Sequence, residues 1–190
     1  MRAAEIQFSA SMDGVDFALP RGLDKKRLLG LLQGSWLQDG AALIITGPTG
    51  IGKTYIGSAL AHALCCRGIT VRLRKTPQWL ADLTVQSEQR RLAKAFKALR
   101  STQVVIFDEW MRDPLTPQET RLLLDLIDDH QGHGSCVFFS QYKVPDWHAR
   151  FPDPVLADAI MDRIIHSSIR FDLDGESVRK LQAKGGRPAK

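Results

Sequence analysis

Apolar positions along the chain fall into two alternating kinds of stretch. Short, nearly continuous apolar runs cover 41–46 (Ala41-Ala42-Leu43-Ile44-Ile45-Thr46), 103–108 (with Val104-Val105-Ile106-Phe107) and 136–139 (Cys136-Val137-Phe138-Phe139). Runs of this length, apolar at successive positions, are what strands buried on both faces of a parallel sheet require. Two further strands are read over 69–73, which is β-branched and alternating, and over 169–173. Between these runs the spacing turns helical. Ile56, Ala59, Leu60, Ala63 and Leu64 form one stripe; Trp79, Leu80 and Leu83 a second; Leu92, Ala95, Phe96 and Leu99 a third. Leu122, Leu123, Leu126 and Ile127, then Leu156, Ala159, Ile160 and Ile164, complete the series. Strand and helix alternate to the end, which predicts an α/β domain: a mainly parallel five-stranded sheet sandwiched between helices in three layers.

Local signals place the boundaries. Asp24 is a candidate N-cap for a helix over 25–37, with Leu28, Leu31 or Leu32, and Trp36 facing inward. Gly68 reads as a C-cap, Thr76-Pro77 as a cap followed by Pro at the first helical position, and Ser87 as the cap of a further helix. Thr116-Pro117-Gln118-Glu119 is a capping box, and Asp153-Pro154 starts the last helix. Residues 1–20 read as an irregular lead-in anchored by Phe8 and Phe17, 21–175 as one domain, and 176–190 as a loose basic tail.

Composition narrows the classes. At 190 residues, 44% hydrophobic and 25% charged, the chain is long enough for one domain with a sizeable core. Its three cysteines, Cys65, Cys66 and Cys136, lack metal-type spacing and do not suggest a disulfide framework; Cys65 and Cys66 are expected to be small buried thiols. No apolar run approaches a membrane span and no signal-peptide pattern opens the chain, so a reducing cytoplasm is expected. The net charge of +5 is local. Residues 67–100 hold nine basic side chains and two acidic ones, against 26 and 21 in the whole chain, so the remainder is slightly acidic. A positive patch of this kind suggests a polyanionic partner. Arg90, Arg91, Lys94 and Lys97 lie off the apolar face of their helix; they suit phosphate contact, or simply a solvated surface.

Candidate chemistry gathers at two strand ends. Gly47-Pro48-Thr49-Gly50-Ile51-Gly52-Lys53-Thr54 follows the first strand, opens the first long helix and matches G-x-x-x-x-G-K-[ST]. Glycines here let backbone N–H groups close around a phosphate chain at the positive end of a helix. Lys53 is placed to reach β- and γ-phosphates and the Thr54 hydroxyl to ligate Mg²⁺. The buried run 103–108 ends in Asp108-Glu109, where an open α/β sheet puts its ligand crevice. Asp108 would hold Mg²⁺ directly or through water, and Glu109 would act as general base toward an attacking water. Gln141, just past the 136–139 strand, can reach a γ-phosphate or the attacking water, or merely hydrogen-bond at the strand end. Arg163 can pair with Asp158 or Asp162 on its own helix.

Together these segments resemble the IstB family, the AAA+ helper ATPases of one class of bacterial insertion sequence, related to the helicase loader DnaC. The resemblance is carried by the glycine loop, Asp108-Glu109-Trp110, Pro114-Leu115-Thr116-Pro117, Ser140-Gln141, Asp146-Trp147-His148, Leu156-Ala157-Asp158-Ala159-Ile160-Met161-Asp162-Arg163 and Gly175-Glu176-Ser177-Val178-Arg179-Lys180. It implies a P-loop NTPase fold, ATP and Mg²⁺ as ligands, and Lys53, Thr54, Asp108 and Glu109 in the family's ATP-site roles. It also implies Gln141 as the sensor at its strand end, and Arg163 as an arginine inserted into a neighbouring subunit's site. Arg179 is a further candidate without a derived role. Members usually carry an extra N-terminal domain, which is expected to be lacking here, and a helical C-terminal lid is likewise not expected. The resemblance implies an ATP-bound homo-oligomer that binds duplex DNA with little sequence preference and presents it to a transposase. Alternatives are a DnaC-like loader acting in DNA replication, a small-metabolite kinase, and an inactive ATPase-core remnant.

Overall fold

The computed structural model describes residues 10–178 and Lys180; Phe8, Arg179 and 181–190 lie outside the described residues. The strands are β1 (Ala42–Thr46), β2 (Val71–Lys75), β3 (Val104–Trp110), β4 (Ser135–Ser140) and β5 (Ser168–Asp172). They form one sheet in the order β2-β3-β4-β1-β5, and every neighbouring pair is parallel. The helices are α1 (Lys25–Gly30), α2 (Ser35–Gln38), α3 (Lys53–Cys65), α4 (Thr76–Glu88), α5 (Leu92–Arg100), α6 (Pro117–His130) and α7 (Pro154–Ile165). The expected three-layer α/β architecture is therefore present.

Strand alternation divides the core in two. Leu43 and Ile45 of β1, Val104 and Ile106 of β3, and Val137 and Phe139 of β4 pack with α1 and α3 on one face. Ile44, Val105, Phe107 and Phe138 point to the other face, against α4, α6 and α7. That second core contains an aromatic cluster directly beneath the end of β3. Phe107 stacks on Phe138 at 5.2 Å, Trp110 meets Phe138 edge-on at 4.7 Å, and Trp147 meets Trp110 at 5.9 Å. Such contacts add to the area these rings bury and fix their orientation.

The capping signals act where a side-chain oxygen meets free helical N–H groups. Asp24 accepts from Arg27 N–H at 2.9 Å, Asp153 from Val155 N–H at 2.9 Å, and Thr116 and Glu119 form the reciprocal box. Several expectations need correction. The helix read over 25–37 is broken: a 3₁₀ turn at Leu31–Gln33 and a left-handed Gly34 (φ +80°) separate α1 from α2. The reversal buries Trp36, whose Nε1–H donates to Leu31 O at 2.8 Å. β2 starts two residues later than expected and runs through Lys75, so Thr76 is the first helical residue and not a cap. Its hydroxyl instead donates to the Asp108 carbonyl at 3.0 Å. Ser87 sits in the last turn of α4; the break comes at Arg90 (φ +55°), and α5 opens after Arg91. Cys65 and Cys66 are exposed. They follow the buried Leu64, and each helical step turns the side chain about 100° further from the core.

No helix among the described residues is long and apolar enough to cross a membrane. Because the aromatic cluster underlies the end of β3, Phe138→Ala is expected to lower unfolding free energy by about 3–5 kcal/mol, read from the shift of a urea-unfolding midpoint. A loss below about 1 kcal/mol, the scale of a well-tolerated core swap, would show that this core is not what supports the β3 end.

Candidate functional site

β1 lies between β4 and β5, so the loop that follows it emerges at the carboxyl edge of the sheet with a strand end on each side. Thr46 donates to Asp172 Oδ1 at 2.6 Å and Gly47 N–H donates to Ser140 O at 3.1 Å, pinning the loop's entry to both neighbours. A Cβ on Gly47 would lie 2.7 Å from Leu173 O, too close for any side chain. At the loop's exit Gly52 (φ +96°) takes the left-handed turn that starts α3. Ile51, 1% exposed, plugs the loop into the core beneath. No side chain caps α3, so its first N–H groups remain available to an anion at the positive end of a 13-residue helix.

Lys53 folds back over this loop, with Nζ donating to Gly47 O at 2.6 Å and Pro48 O at 3.0 Å. Burial lowers its pKa, opposed by the charge of Asp108. Thr54 donates to Asp108 Oδ2 at 2.8 Å, and Glu109 N–H donates to Asp108 Oδ1 at 2.9 Å. Asp108 is only 3% exposed, and burial pushes its carboxyl up against the pull of those two hydrogen bonds. Its carboxylate thus reaches from β3, past the end of β4, to the first turn of α3. Gln141 joins from the end of β4 by accepting from the Thr49 hydroxyl at 2.9 Å. Glu109 adopts φ +55° and pairs with Lys75 Nζ at 2.9 Å and with Arg112. The structure therefore brings Gly47, Pro48, Thr49, Gly50, Ile51, Gly52, Lys53, Thr54, Asp108, Glu109 and Gln141 to one edge.

The residues present fit a nucleotide and a hard cation. The loop offers backbone N–H groups and a lysine to phosphates, and the Thr54–Asp108 pair offers an all-oxygen donor set of the kind Mg²⁺ prefers. Asp108, a buried carboxyl whose ionised form burial disfavours, would gain counter-charge beyond that of Lys53.

Other candidates lie elsewhere. Arg163 borders a small cleft with Gly40, Ala42 and Cys136, at the amino edge of the sheet and opposite the loop. Its partner is neither Asp158 nor Asp162: the guanidinium pairs with Asp128 of α6 and donates to Ala159 O at 2.7 Å. Asp128 is one helix away and parallel in reach, whereas adjacent Asp162 points off a different side of α7. Arg90, Arg91, Lys94 and Lys97 are exposed at the α4–α5 junction and along α5. Sequence reasoning missed several residues that hold the site. Arg21, 5% exposed, donates to Ile51 O at 2.8 Å; Val178 N–H donates to Gly50 O at 3.0 Å; Thr76, Lys75 and Arg112 hold the end of β3. Except for the Arg112–Glu109 pair, which is local, these contacts are tertiary, and no sequence pattern announces them.

A glycine loop after β1, with a buried acid on β3 hydrogen-bonded to its threonine, is the arrangement of a P-loop ATPase domain. The chain belongs to the family of IstB-like ATP binding proteins, whose description matches residues 1–185. It is 34% identical over 184 residues to an insertion-sequence ATP-binding protein of Sinorhizobium fredii, covering 97% of this chain and 75% of that one. It is 31% identical over 186 residues to an ATP-binding protein in an insertion sequence of Mycobacterium tuberculosis, covering 97% and 74%. Among solved structures, DnaI superposes with a TM-score of 0.73 at 16% identity, covering 87% of this chain and 91% of that chain. The DnaC helicase loader does so with 0.73 at 16% identity, covering 90% and 99%. At such identities the likeness is one of fold.

Replacing Lys53 by Ala removes the charge-assisted contacts this loop offers to phosphates. At about 1.5–3 kcal/mol for such bonds, affinity for a fluorescent ATP analogue is expected to fall by about ten- to a hundredfold. Unchanged affinity would mean that the nucleotide does not sit in this loop.

Proposed function

We propose that the chain hydrolyses Mg²⁺-ATP as part of an assembly on DNA and serves as a helper of insertion-sequence transposition, presenting target DNA to a transposase. The observation that carries the hydrolytic half is the convergence of Lys53, Thr54, Asp108 and Glu109 at one sheet edge. Lys53 turns from the loop carbonyls to the β- and γ-phosphates. Thr54 and Asp108 hold the Mg²⁺, which when bound neutralises phosphate charge. Glu109 takes a proton from the attacking water, and Gln141 orients that water or the terminal phosphate. In this reading residues 21–175 are the catalytic domain, 1–20 the lead-in and 176–190 the tail, and the protein works in the cytoplasm.

Support for assembly comes from Arg163. It stands away from the chain's own site on a half-exposed surface, as an arginine acting on a neighbouring subunit's ATP must. Presenting it there exchanges Asp128 for a phosphate, and a cation facing the γ-phosphate stabilises charge developing in transfer. Support for DNA comes from the family and from the exposed Arg90, Arg91, Lys94 and Lys97. A helicase-loader role shares the fold of DnaC but lacks the insertion-sequence kinship of the relatives; selective capture of a replicative helicase, and not a transposase, would favour it.

Replacing Arg90, Arg91, Lys94 and Lys97 together by Ala is expected to weaken duplex binding in fluorescence anisotropy. The slope of log affinity against log salt should flatten by about 3–4, one released counterion per lost phosphate contact. An unchanged slope removes this surface from the DNA contact. Arg163→Ala is expected to bind ATP analogue normally yet lose about 10³-fold or more in hydrolysis, the scale of a missing transfer-stabilising arginine. Retained hydrolysis would leave Arg163 as a structural partner of Asp128.

A further inference from the structure

The backbone just past Asp108 is strained and fully pinned. Glu109 and Met111 both take left-handed conformations, φ +55° and +58°, which residues with a Cβ rarely adopt. Trp110, wedged between them, is completely buried in the aromatic cluster, and the β3–β4 register shifts between Phe107 and Trp110. Each successive carbonyl of this turn has its own donor. Arg112 N–H closes on Glu109 O at 3.1 Å, and the Ser140 hydroxyl donates to Trp110 O at 2.8 Å. Arg150 supplies the other two, Nε to Met111 O at 2.6 Å and Nη2 to Arg112 O at 2.9 Å.

Arg150 is itself fixed from the β4 side. Its guanidinium lies 4.0 Å from the centre of the Tyr142 ring, Tyr142 N–H donates to Ser140 Oγ at 3.1 Å, and buried Trp147 donates from Nε1 to Tyr142 O at 3.0 Å. One loop, running from the end of β4 through Trp147 to Arg150, therefore grips the turn that carries Glu109. A planar fork donating to two consecutive carbonyls is a contact that a lysine can only half reproduce.

We propose that Arg150, with Ser140, is a positioning residue for ATP hydrolysis: it holds the strained Glu109–Arg112 turn and thereby aims the Glu109 carboxylate at the attacking water. The proposal rests on the reading of Glu109 as the residue that activates water. Arg150 touches neither nucleotide nor water; it acts through the backbone. Strained conformations persist at functional sites only when their surroundings over-determine them, and the four carbonyl contacts supply that.

The test compares Arg150→Gln, Arg150→Lys, Ser140→Ala and Glu109→Gln in the full chain, at a protein concentration where the rate per subunit has saturated. Four quantities are read: kcat, KM, affinity for a fluorescent ATP analogue, and thermal midpoint. Arg150→Gln is expected to lower kcat by about ten- to a hundredfold, the scale of a misplaced catalytic group, with KM and analogue affinity unchanged. Arg150→Lys should recover part of that kcat, a rescue that lost packing alone does not give. If Arg150→Gln does not fold, Ser140→Ala reads the same turn and should lower kcat in the same selective way. Wild-type kcat in the folded Arg150→Gln chain beside an inactive Glu109→Gln chain overturns the proposal. So does an Arg150→Gln loss that appears only as a lowered thermal midpoint. Wild-type kcat in Glu109→Gln overturns the underlying reading of Glu109 instead.

Discussion

The hydrogen bond from the Thr54 hydroxyl to the buried Asp108 carboxylate is the contact on which the site depends. It joins the helix after β1 to the end of β3, two elements separated in the sheet by β4. Burial of a carboxyl 3% exposed disfavours its ionised form, and the donors aimed at both of its oxygens, with the nearby charge of Lys53, oppose that cost. The strand order provides the setting. Placing β4 between β1 and β3 puts its end, Ser140-Gln141, against the loop on one side and the acid turn on the other. A structure that preserves this bond keeps the glycine loop and the Asp108 turn in register.

Around that bond the protein stores strain and offsets it locally. Two left-handed residues beside Asp108 cost about 1–3 kcal/mol each, and the aromatic cluster, Ser140 and Arg150 hold them in place. The phosphate loop is treated alike: Ile51 anchors it from below, while Arg21 and the Val178 N–H bind its carbonyls. Both devices use backbone carbonyls as the points of attachment. Lys53, Thr54, Gln141 and Glu109, the side chains given roles in the proposed hydrolysis, are not among these attachments.

This explains what could be read from the sequence. The sheet was legible because strands such as Val104-Val105-Ile106-Phe107 are buried on both faces and show it as unbroken apolar runs. The loop was legible because glycine spacing answers a local geometric demand, and Asp108-Glu109 because an acid pair at the end of a buried apolar run stands out, although β3 itself runs on to Trp110 and not only to 108. Arg21 and Arg150 were not, since each meets carbonyls 30 or more residues away and leaves no period or motif. Thr76 misled for a related reason. A threonine before proline looks like a cap, but its hydroxyl serves the Asp108 carbonyl, a tertiary use that displaces the local one. Arg163 was legible as a charged helix residue, while its partner Asp128 lies on another helix.

The proposed function makes hydrolysis a property of an assembled, DNA-bound form whose site is completed by a neighbour. It is tested most directly by the initial rate of ATP hydrolysis per subunit, measured across protein concentration with and without duplex DNA. The rate per subunit is expected to climb with concentration, saturate, and reach saturation at lower protein when DNA is present. A rate per subunit that is the same at every concentration and indifferent to DNA would contradict it, leaving a self-sufficient monomeric ATPase.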